Sequence, residues 1–308
     1  MDKNITSQLK EKYEAIDQNL GVHLEGLLYS KPITYWDYIH TDALLNLQIQ
    51  RTTLPDEMVF IGYHQINELI FKMILWEIKQ VAECNTLNAV FFEDKIMRIS
   101  RYFDMLTTSF NIMREGMDVE QYNKFRHTLT PASGFQSAQY RLIEFASTEL
   151  INLIDIRFRE TIDRNTPFEH ALEHLYWQAA GKDYKTGKKS ILLINFENRY
   201  KEEFITFMKV YQTKNLWSRF KELPKADQKD KDLVKAMRHL DYTVNIKWVM
   251  AHYNAANHYI SGDKSSGKEI EATGGSDWKK YMHPKYQKRI FFPDLWSEKE
   301  LNDWGTNL

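Results

Sequence analysis

Glycine and proline, the two residues that most often interrupt helices, are scarce in this chain, at 12 and 7 of 308 residues. Apolar residues recur at helical spacing almost throughout, and no convincing alternation of apolar and polar residues predicts a strand. Aromatic residues are plentiful, with 17 Tyr, 17 Phe and 8 Trp. These features favour long helices around something large and flat, or a helical core that is simply rich in rings. We therefore predict an all-α fold in one large domain, residues 1–308.

Helical periodicity also sets the expected helix boundaries. Pro55, with two carboxylates after it, is typical of a helix start, and the helix that follows is predicted to run to about Cys84. A helix over 37–50 is expected to turn its leucines inward. The other predicted helices are 92–115, 122–127, one from 133 towards 157, one from 166, 196–211, and 232 to about 260. The predicted surface loops are 181–189, 223–231 and 261–268.

Charge and cysteine content exclude several classes of protein. Lysine plus arginine (41) nearly balances aspartate plus glutamate (42), so the charge excess of a general nucleic-acid binder is missing. Cys84 is the single cysteine, which excludes an intrachain disulfide and a cysteine-based zinc site. The first residues lack the apolar segment of a signal peptide, and no apolar run approaches membrane-spanning length. We expect a cytoplasmic protein without nucleic-acid or membrane partners.

Two histidines lie at the apolar edges of two separate predicted helices. His64 follows Phe60 in a strongly apolar run, and His252 follows Trp248 far downstream. One interpretation is that the two rings face opposite sides of a bound cofactor. The other is that each is a hydrogen-bonded core histidine, which is the commoner case for a lone histidine.

Three further patterns allow ligand binding. Phe60 and His64 are four residues apart, so they share a helix face that could hold a flat apolar ligand, or they could be ordinary core. Tyr122 and Arg126 repeat this spacing, and an arginine suits a carboxylate, although spacing alone favours a solvated arginine. Residues 273–276, Thr-Gly-Gly-Ser, let backbone amides approach a ligand closely, or form a plain turn.

A fourth pattern concerns metal binding. His170 and His174 have the spacing of a metal-binding pair on one helix face. The matching second half of a carboxylate-bridged metal site is not evident, so the pattern favours a solvated face over a metal site.

Taken together, these sequence motifs resemble the tryptophan 2,3-dioxygenase family over nearly the whole chain. Five motifs occur in the family's order, which is far more specific than any one of them. The most specific is Pro-Ala-Ser-Gly-Phe-Gln-Ser, residues 131–137. The others are Tyr-Trp-Asp-Tyr-Ile at 35–39, Asp-Glu-x-x-Phe-Ile-x-x-His-Gln-x-x-Glu-Leu at 56–69, Lys-Trp-x-x-x-His at 247–252, and the closing Thr-Gly-Gly-Ser at 273–276 with Phe-Pro-Asp-Leu-Trp at 292–296.

The resemblance implies an all-helical protein that encloses haem b and forms a homotetramer, a dimer of dimers. Residues 1–40 are expected to pack on a neighbouring subunit. The implied reaction opens the indole ring of L-tryptophan with O2 to give N-formylkynurenine, the first step of tryptophan catabolism by the kynurenine route.

Matching positions also imply roles for the site residues. His252 would be the proximal ligand of the haem iron, with Trp248 in the same cofactor-binding segment. His64 would be the distal catalytic residue that hydrogen-bonds the indole N–H, and Phe60 would pack on the indole. Arg126, with Tyr122 nearby, would bind the substrate carboxylate. The remaining expected contacts are Ser133 in the distal pocket, Thr273 at the amino-acid end of the substrate, and Tyr35, Tyr38 and Ile39 as a pocket wall from a neighbouring subunit.

Three departures from the family pattern keep alternatives open. The spacing from His252 to Thr273 is about seven residues longer than the family pattern, Val249 replaces an expected arginine, and Asp277-Trp278 replaces a small residue and glycine. One alternative is a haem-dependent monooxygenase of the same superfamily that acts on an indole or tyrosine-like substrate. Another is a non-catalytic haem-binding helical protein.

Overall fold

The computed structural model describes residues 3–129, 134–183, 185–261 and 282–306. In these ranges the secondary structure is helical, with no strand and only two isolated β-bridges, Ile154 with Leu175 and Lys182 with Lys189. The predicted all-α fold is therefore confirmed. No described helix is both long enough and apolar enough to cross a membrane.

Residues 1–49 form the first of two compact units. Two of its helices begin at capping residues: the side chains of Asn19 and Thr34 accept hydrogen bonds from backbone N–H groups of the first turn. No side chain described in this unit is buried. Its helices are α1 (Lys3–Glu14), α2 (Leu20–Tyr29), α3 (Tyr35–Ile39) and α4 (Thr41–Leu44).

The helix predicted over 37–50 is wrong beyond its first residues. His40 has a φ of 57°, a left-handed conformation that ends α3, and α4 then ends at Leu44. Leu45 and Leu47 are 73% and 61% exposed, not turned inward. An apolar pattern could not show this break, because the break depends on the backbone conformation of one residue.

Residues 50–308 form the second unit. α5 (Asp56–Ala82) and α6 (Ala89–Glu115) have 27 residues each. They confirm the helix predicted from Pro55 to about Cys84 and the one predicted over 92–115. α6 packs against α5, α12 (Lys231–Tyr242) and α13 (Trp248–Ser261). The remaining helices are α7 (Val119–Leu129), α8 (Ala138–Ser147), α9 (Phe168–Leu172), α10 (Ile191–Tyr211), α11 (Leu216–Glu222), α14 (Pro284–Gln287) and α15 (Glu298–Asn302).

Two predicted helices are shorter than expected. α8 ends at Ser147, because Thr148 is extended (φ −148°, ψ 171°) and its hydroxyl donates to the carbonyl of Phe291. The helix predicted from 166 is only the five residues of α9. Several connections are 3-10 helices instead: Gly134–Gln136, Leu150–Leu153, Ile156–Phe158, Tyr176–Ala180, Asp227–Lys229 and Pro293–Leu295.

The two predicted loops at 181–189 and 223–231 hold no α-helix in their described residues before Lys231 begins α12. The predicted loop at 261–268 lies outside the described residues after Ser261. The prediction of one domain over 1–308 stays a prediction.

A buried network of charges ties the C-terminal segment to the helices. Asp241 of α12 accepts hydrogen bonds from the backbone N–H groups of Phe291 (2.8 Å) and Phe292 (3.0 Å) and from the indole of Trp296 (2.9 Å). Burial raises the pKa of Asp241, against the effect of these donors. Nearby, Arg289 donates to the Glu144 carboxylate. These contacts fix residues 289–296 on the core beneath α8 and α12.

Candidate functional site

The N-terminal ends of α5 and α7 are joined by hydrogen bonds. The backbone N–H of Asp118 donates to the Asp56 carboxylate (2.6 Å), and the N–H of Asp56 donates to the side-chain carbonyl of Gln121 (3.3 Å). Such bonds satisfy N–H groups that a helix end would otherwise leave unpaired. The two helices are therefore fixed side by side where their predicted site residues lie.

Phe60 and His64 of α5 lie against Tyr122 of α7. The ring centroids are 4.1 Å apart for Phe60 and His64, and 6.2 Å apart for Phe60 and Tyr122. Arg126 is 5% exposed, and its guanidinium carbon lies 5.9 Å from the centroid of the Tyr122 ring. The structure thus brings four predicted site residues together. The alternative that Arg126 is an exposed arginine on a solvated face is wrong.

The His64 ring has a defined hydrogen-bonding state. Its Nδ1 lies 2.7 Å from the carbonyl oxygen of Phe60. A carbonyl only accepts, so Nδ1 carries the proton and Nε2 holds a free lone pair in the neutral ring. Burial lowers the pKa of His64, partly offset by this hydrogen bond and by the charge of Glu68. The ring nevertheless remains solvent-accessible, as expected of a side chain that lines a recess within the fold.

His252 of α13 lies close enough to His64 for the two charges to interact. Burial and the nearby charge of His64 lower the pKa of His252 to about 4, so its imidazole is neutral at pH 7. Phe110 of α6 stacks on the ring, with centroids 5.5 Å apart. A side-chain carbon added at Gly134 would lie 3.8 Å from Cε1 of His252. The segment that follows residue 133 therefore passes directly beside this histidine.

A single turn of π-helix, Thr243–Lys247, joins α12 to α13. Four of its five side chains are buried. π-helical turns are rare and occur mostly at functional sites. This one lies immediately before Trp248 and sets the direction in which Trp248 and His252 leave the helix. The long helix predicted from 232 to about 260 is thus continuous in sequence but not in hydrogen bonding.

The described residues fit the haem that the motif resemblance implies in three respects. His252 offers a neutral imidazole, which is the form that binds iron. Aromatic rings surround it, and Phe110 and Trp248 lie within about 6.3 Å of its ring centroid. The indole nitrogen of Trp248 is buried and finds no acceptor among the described residues, so it is available to an acceptor on a bound group. One imidazole suffices as the protein ligand where a porphyrin supplies the equatorial ones.

The other histidines have different surroundings. His239 pairs with Asp104 at 2.9 Å, and His258 is exposed. His170 is exposed, and its ring lies 4.6 Å from that of His174. In the described ranges no group of three His, Cys, Asp or Glu side chains could hold a metal ion.

The remaining five predicted site residues lie outside the described residues or in the first unit. Ser133 and Thr273 lie outside the described residues, as do Asp277 and Trp278. Tyr35, Tyr38 and Ile39 belong to the first unit, where they are 72%, 71% and 42% exposed. Their proposed roles stay predictions.

The sequence analysis missed several residues that hold the site together. Tyr259 of α13 packs on Tyr122, with centroids 4.1 Å apart, and its hydroxyl donates to the carbonyl of Met113. Glu57 is fully buried and accepts hydrogen bonds from the backbone N–H groups of Arg51 (2.9 Å) and Thr52 (2.7 Å). Tyr259 lies seven residues after His252, on the same helix face, which was the one available signal.

Comparison with known proteins gives a consistent result. A family model described as tryptophan 2,3-dioxygenase matches residues 25–171, just under half of the chain. Tryptophan 2,3-dioxygenase of Ruegeria sp. (strain TM1040) is 40% identical over 119 residues, 38% of this chain and 42% of that protein. The protein of the same name from Bacillus thuringiensis subsp. konkukian (strain 97-27) is 28% identical over 301 residues, 94% of this chain and 98% of that protein.

The chain is similar to the tryptophan 2,3-dioxygenases. The resemblance predicted from the ordered motifs is therefore confirmed. The more similar relatives are matched over less than half of their length: tryptophan 2,3-dioxygenase of Ralstonia pickettii (strain 12J), for example, is 37% identical over 131 residues, 46% of that protein. The matched family segment includes α5, α7 and the whole of the 134–139 segment, and it ends before α13.

Proposed function

We propose that this protein binds haem b between His64 and His252 and uses O2 to open the indole ring of L-tryptophan, giving N-formylkynurenine. The observation that carries the proposal is the arrangement of α5 and α13, which brings two neutral imidazoles near each other among aromatic side chains. Arg126, a buried arginine, lies beside Tyr122, which packs near Phe60 on the α5 side. The similarity to tryptophan 2,3-dioxygenases supports the same reading.

His252 would be the proximal ligand, and Trp248 and Phe110 would line the cofactor. Bound haem iron supplies the activation of O2, which amino-acid side chains cannot provide. The low pKa of His252 supports this role, because a protonated imidazole has no lone pair to give to iron. The protein otherwise contributes orientation and the exclusion of water.

His64 would read the indole ring. Since its Nδ1–H is engaged by the Phe60 carbonyl, its Nε2 is left as an acceptor, and an indole N–H is a donor. The Phe60 ring centroid lies 4.1 Å from that of the imidazole, and a flat indole could pack on the phenyl ring. The two residues together would hold the indole in one orientation.

Arg126 would read the opposite end of the substrate. A guanidinium presents two parallel donors that match a carboxylate, and its burial strengthens that contact. With the indole and the carboxylate recognised separately, a site rejects indole alone, which makes only one of the two contacts. Ser133 and Thr273 would complete the site in the same proposal, as implied by the motif match.

The first unit would complete the assembly. Its described side chains include many large apolar ones that are exposed and none that is buried. Exposed apolar surface on this scale favours a protein partner. We propose a homotetramer in which residues 1–40 of one subunit pack on a neighbour and bring Tyr35, Tyr38 and Ile39 to its pocket. The proposed location of the enzyme is the cytoplasm.

The test combines an absorbance experiment with mass spectrometry of the product. Haem-reconstituted protein is reduced with dithionite without air, and L-tryptophan and a pulse of 18O2 are then added. A five-coordinate ferrous histidine haem followed by a product that carries two 18O atoms is the expected result. One 18O atom in the product would instead favour the monooxygenase alternative, which the departures at Val249 and Asp277 motivate. Haem without turnover of any aromatic amino acid would favour the non-catalytic alternative.

A further inference from the structure

A carboxylate one helical turn after His64 joins two distant parts of the chain. The Glu68 carboxylate accepts hydrogen bonds from the hydroxyl of Ser137 (2.7 Å) and the side-chain amide of Gln139 (2.8 Å). The same amide also donates to the backbone carbonyl of Glu68 (2.8 Å). Three bonds thus tie α5 to the segment 134–139, about 70 residues later in the chain.

This segment passes beside the second histidine. A side-chain carbon at Gly134 would lie 3.8 Å from His252, and Ser137, which Glu68 holds, also caps α8 by accepting from the N–H of Tyr140 (3.4 Å). Glu68 therefore fixes the position of a strip of backbone that passes beside His252. Its negative charge also acts on His64, on the same helix face.

We infer that Glu68 is a positioning residue that sets the spacing between the His64 side and the His252 side of the site, through Ser137 and Gln139. The inference rests on the proposed function and deepens it. Charged acceptors make the stronger hydrogen bonds. Replacing a residue that supports the ligands of a metal site from outside typically changes metal affinity by about tenfold to a hundredfold.

The test compares four haem-loaded proteins. They are the unmodified protein, Glu68→Ala, Gln139→Met and the control Glu77→Gln. Gln139→Met removes two of the three bonds and leaves the carboxylate in place. Glu77 lies on the same helix and accepts comparable bonds from Lys95 (2.7 Å) and Gln80 (3.2 Å). Each protein is measured for haem loss to excess apomyoglobin, L-tryptophan affinity from the spectral change of the ferric form, thermal midpoint, and hydrogen exchange at residues 134–140.

We expect Glu68→Ala to lose haem about tenfold faster and to bind tryptophan more weakly, with Gln139→Met shifted less in the same direction. Exchange at 134–140 should rise in both. Glu77→Gln should lower the thermal midpoint only. If Glu68→Ala fails to fold, Gln139→Met decides alone.

Two results would overturn the inference. One is unchanged exchange at 134–140 in the Glu68 and Gln139 variants. The other is faster exchange without any change in haem retention or tryptophan affinity, which would make the contact structural only. An unmodified protein that takes up no haem would instead refute the proposed function, while the exchange measurement would still report whether Glu68 holds the segment.

Discussion

Replacing Glu144 with glutamine should destabilise the protein strongly. Glu144 is fully buried and shares its carboxylate between two buried arginines, Arg141 (3.0 Å) and Arg289, and it accepts from the hydroxyl of Tyr176. Burial raises the pKa of Tyr176 to about 12, so the phenol stays a neutral donor. In Glu144→Gln the shape is kept, but two guanidinium groups lose the one carboxylate that pairs with them among the described residues.

The size of the effect follows from burial. Removing one partner of a buried ion pair costs about 3–5 kcal/mol, because the remaining charge stays desolvated. Here two cations are affected, but Arg289 keeps a hydrogen bond to Asn245, which in turn donates to Asp241. We therefore expect a loss of about 4–5 kcal/mol in the free energy of unfolding, measured by urea denaturation with far-UV circular dichroism. That is a large share of the total of about 5–15 kcal/mol for a typical domain.

Two further variants make this prediction refutable. Asp94→Asn breaks the exposed pair of Asp94 with Arg98, whose side chains are 48% and 46% exposed and 2.9 Å apart, and should cost no more than about 1 kcal/mol. Arg141→Met combined with Glu144→Gln should recover part of the loss, since one uncompensated cation is removed. The reasoning fails if Glu144→Gln is no more destabilising than Asp94→Asn, or if the double variant loses the sum of both single changes.

Three other predictions concern the site and its frame. His252→Ala should lose most of its haem absorbance, whereas His64→Ala should keep haem and lose part of its turnover; normal haem content in His252→Ala would refute the ligand assignment. Arg126→Ala should weaken L-tryptophan binding by about 2–5 kcal/mol with a smaller effect on the haem spectrum, as equilibrium titration would show. Burial raises the pKa of Glu57, but hydrogen bonds from Thr52 and Arg51 outweigh it and leave the pKa lowered. The stability that Glu57 contributes is therefore present above its unfolded pKa and lost as pH falls through the folded value, so Glu57→Gln should be less sensitive to acid below about pH 4.5 than the unmodified protein in pH-dependent unfolding. An identical acid profile in both proteins would contradict this.

The long helices could be predicted from sequence because their apolar spacing repeats over many turns. α5 and α6 needed nothing more than that pattern and a start signal at Pro55. The predicted helix over 37–50 failed at His40, where one left-handed residue ends α3. Local spacing carries no information about the backbone angle of a single non-glycine residue.

The sequence predicted which residues belong to the site better than it predicted the contacts that hold them in place. Two candidate pairs were recognised from their i, i+4 spacing: Phe60 with His64, and Tyr122 with Arg126. That α5 and α13 bring His64 near His252 was one of two interpretations of the residues, and the family resemblance favoured it over two separate core histidines. Glu68 with Ser137 and Gln139, and Phe110 on His252, join segments that only the folded chain brings together.

The π-helical turn at Thr243–Lys247 changes the direction in which the side chains after it leave the helix. An α-helix advances about 100° per residue, so one surplus residue accommodated in a wider turn rotates everything after it by about that angle. Without it, an uninterrupted helix from Lys231 would carry Trp248 and His252 round to a different azimuth, away from Phe110 and the α5 histidine. The identity of the residues at 248 and 252 is therefore only half of the specification. The other half is a one-residue surplus upstream. Deleting one residue between Thr243 and Lys247 should remove that surplus, convert the turn to α-helix and leave both rings at the azimuth that they have now.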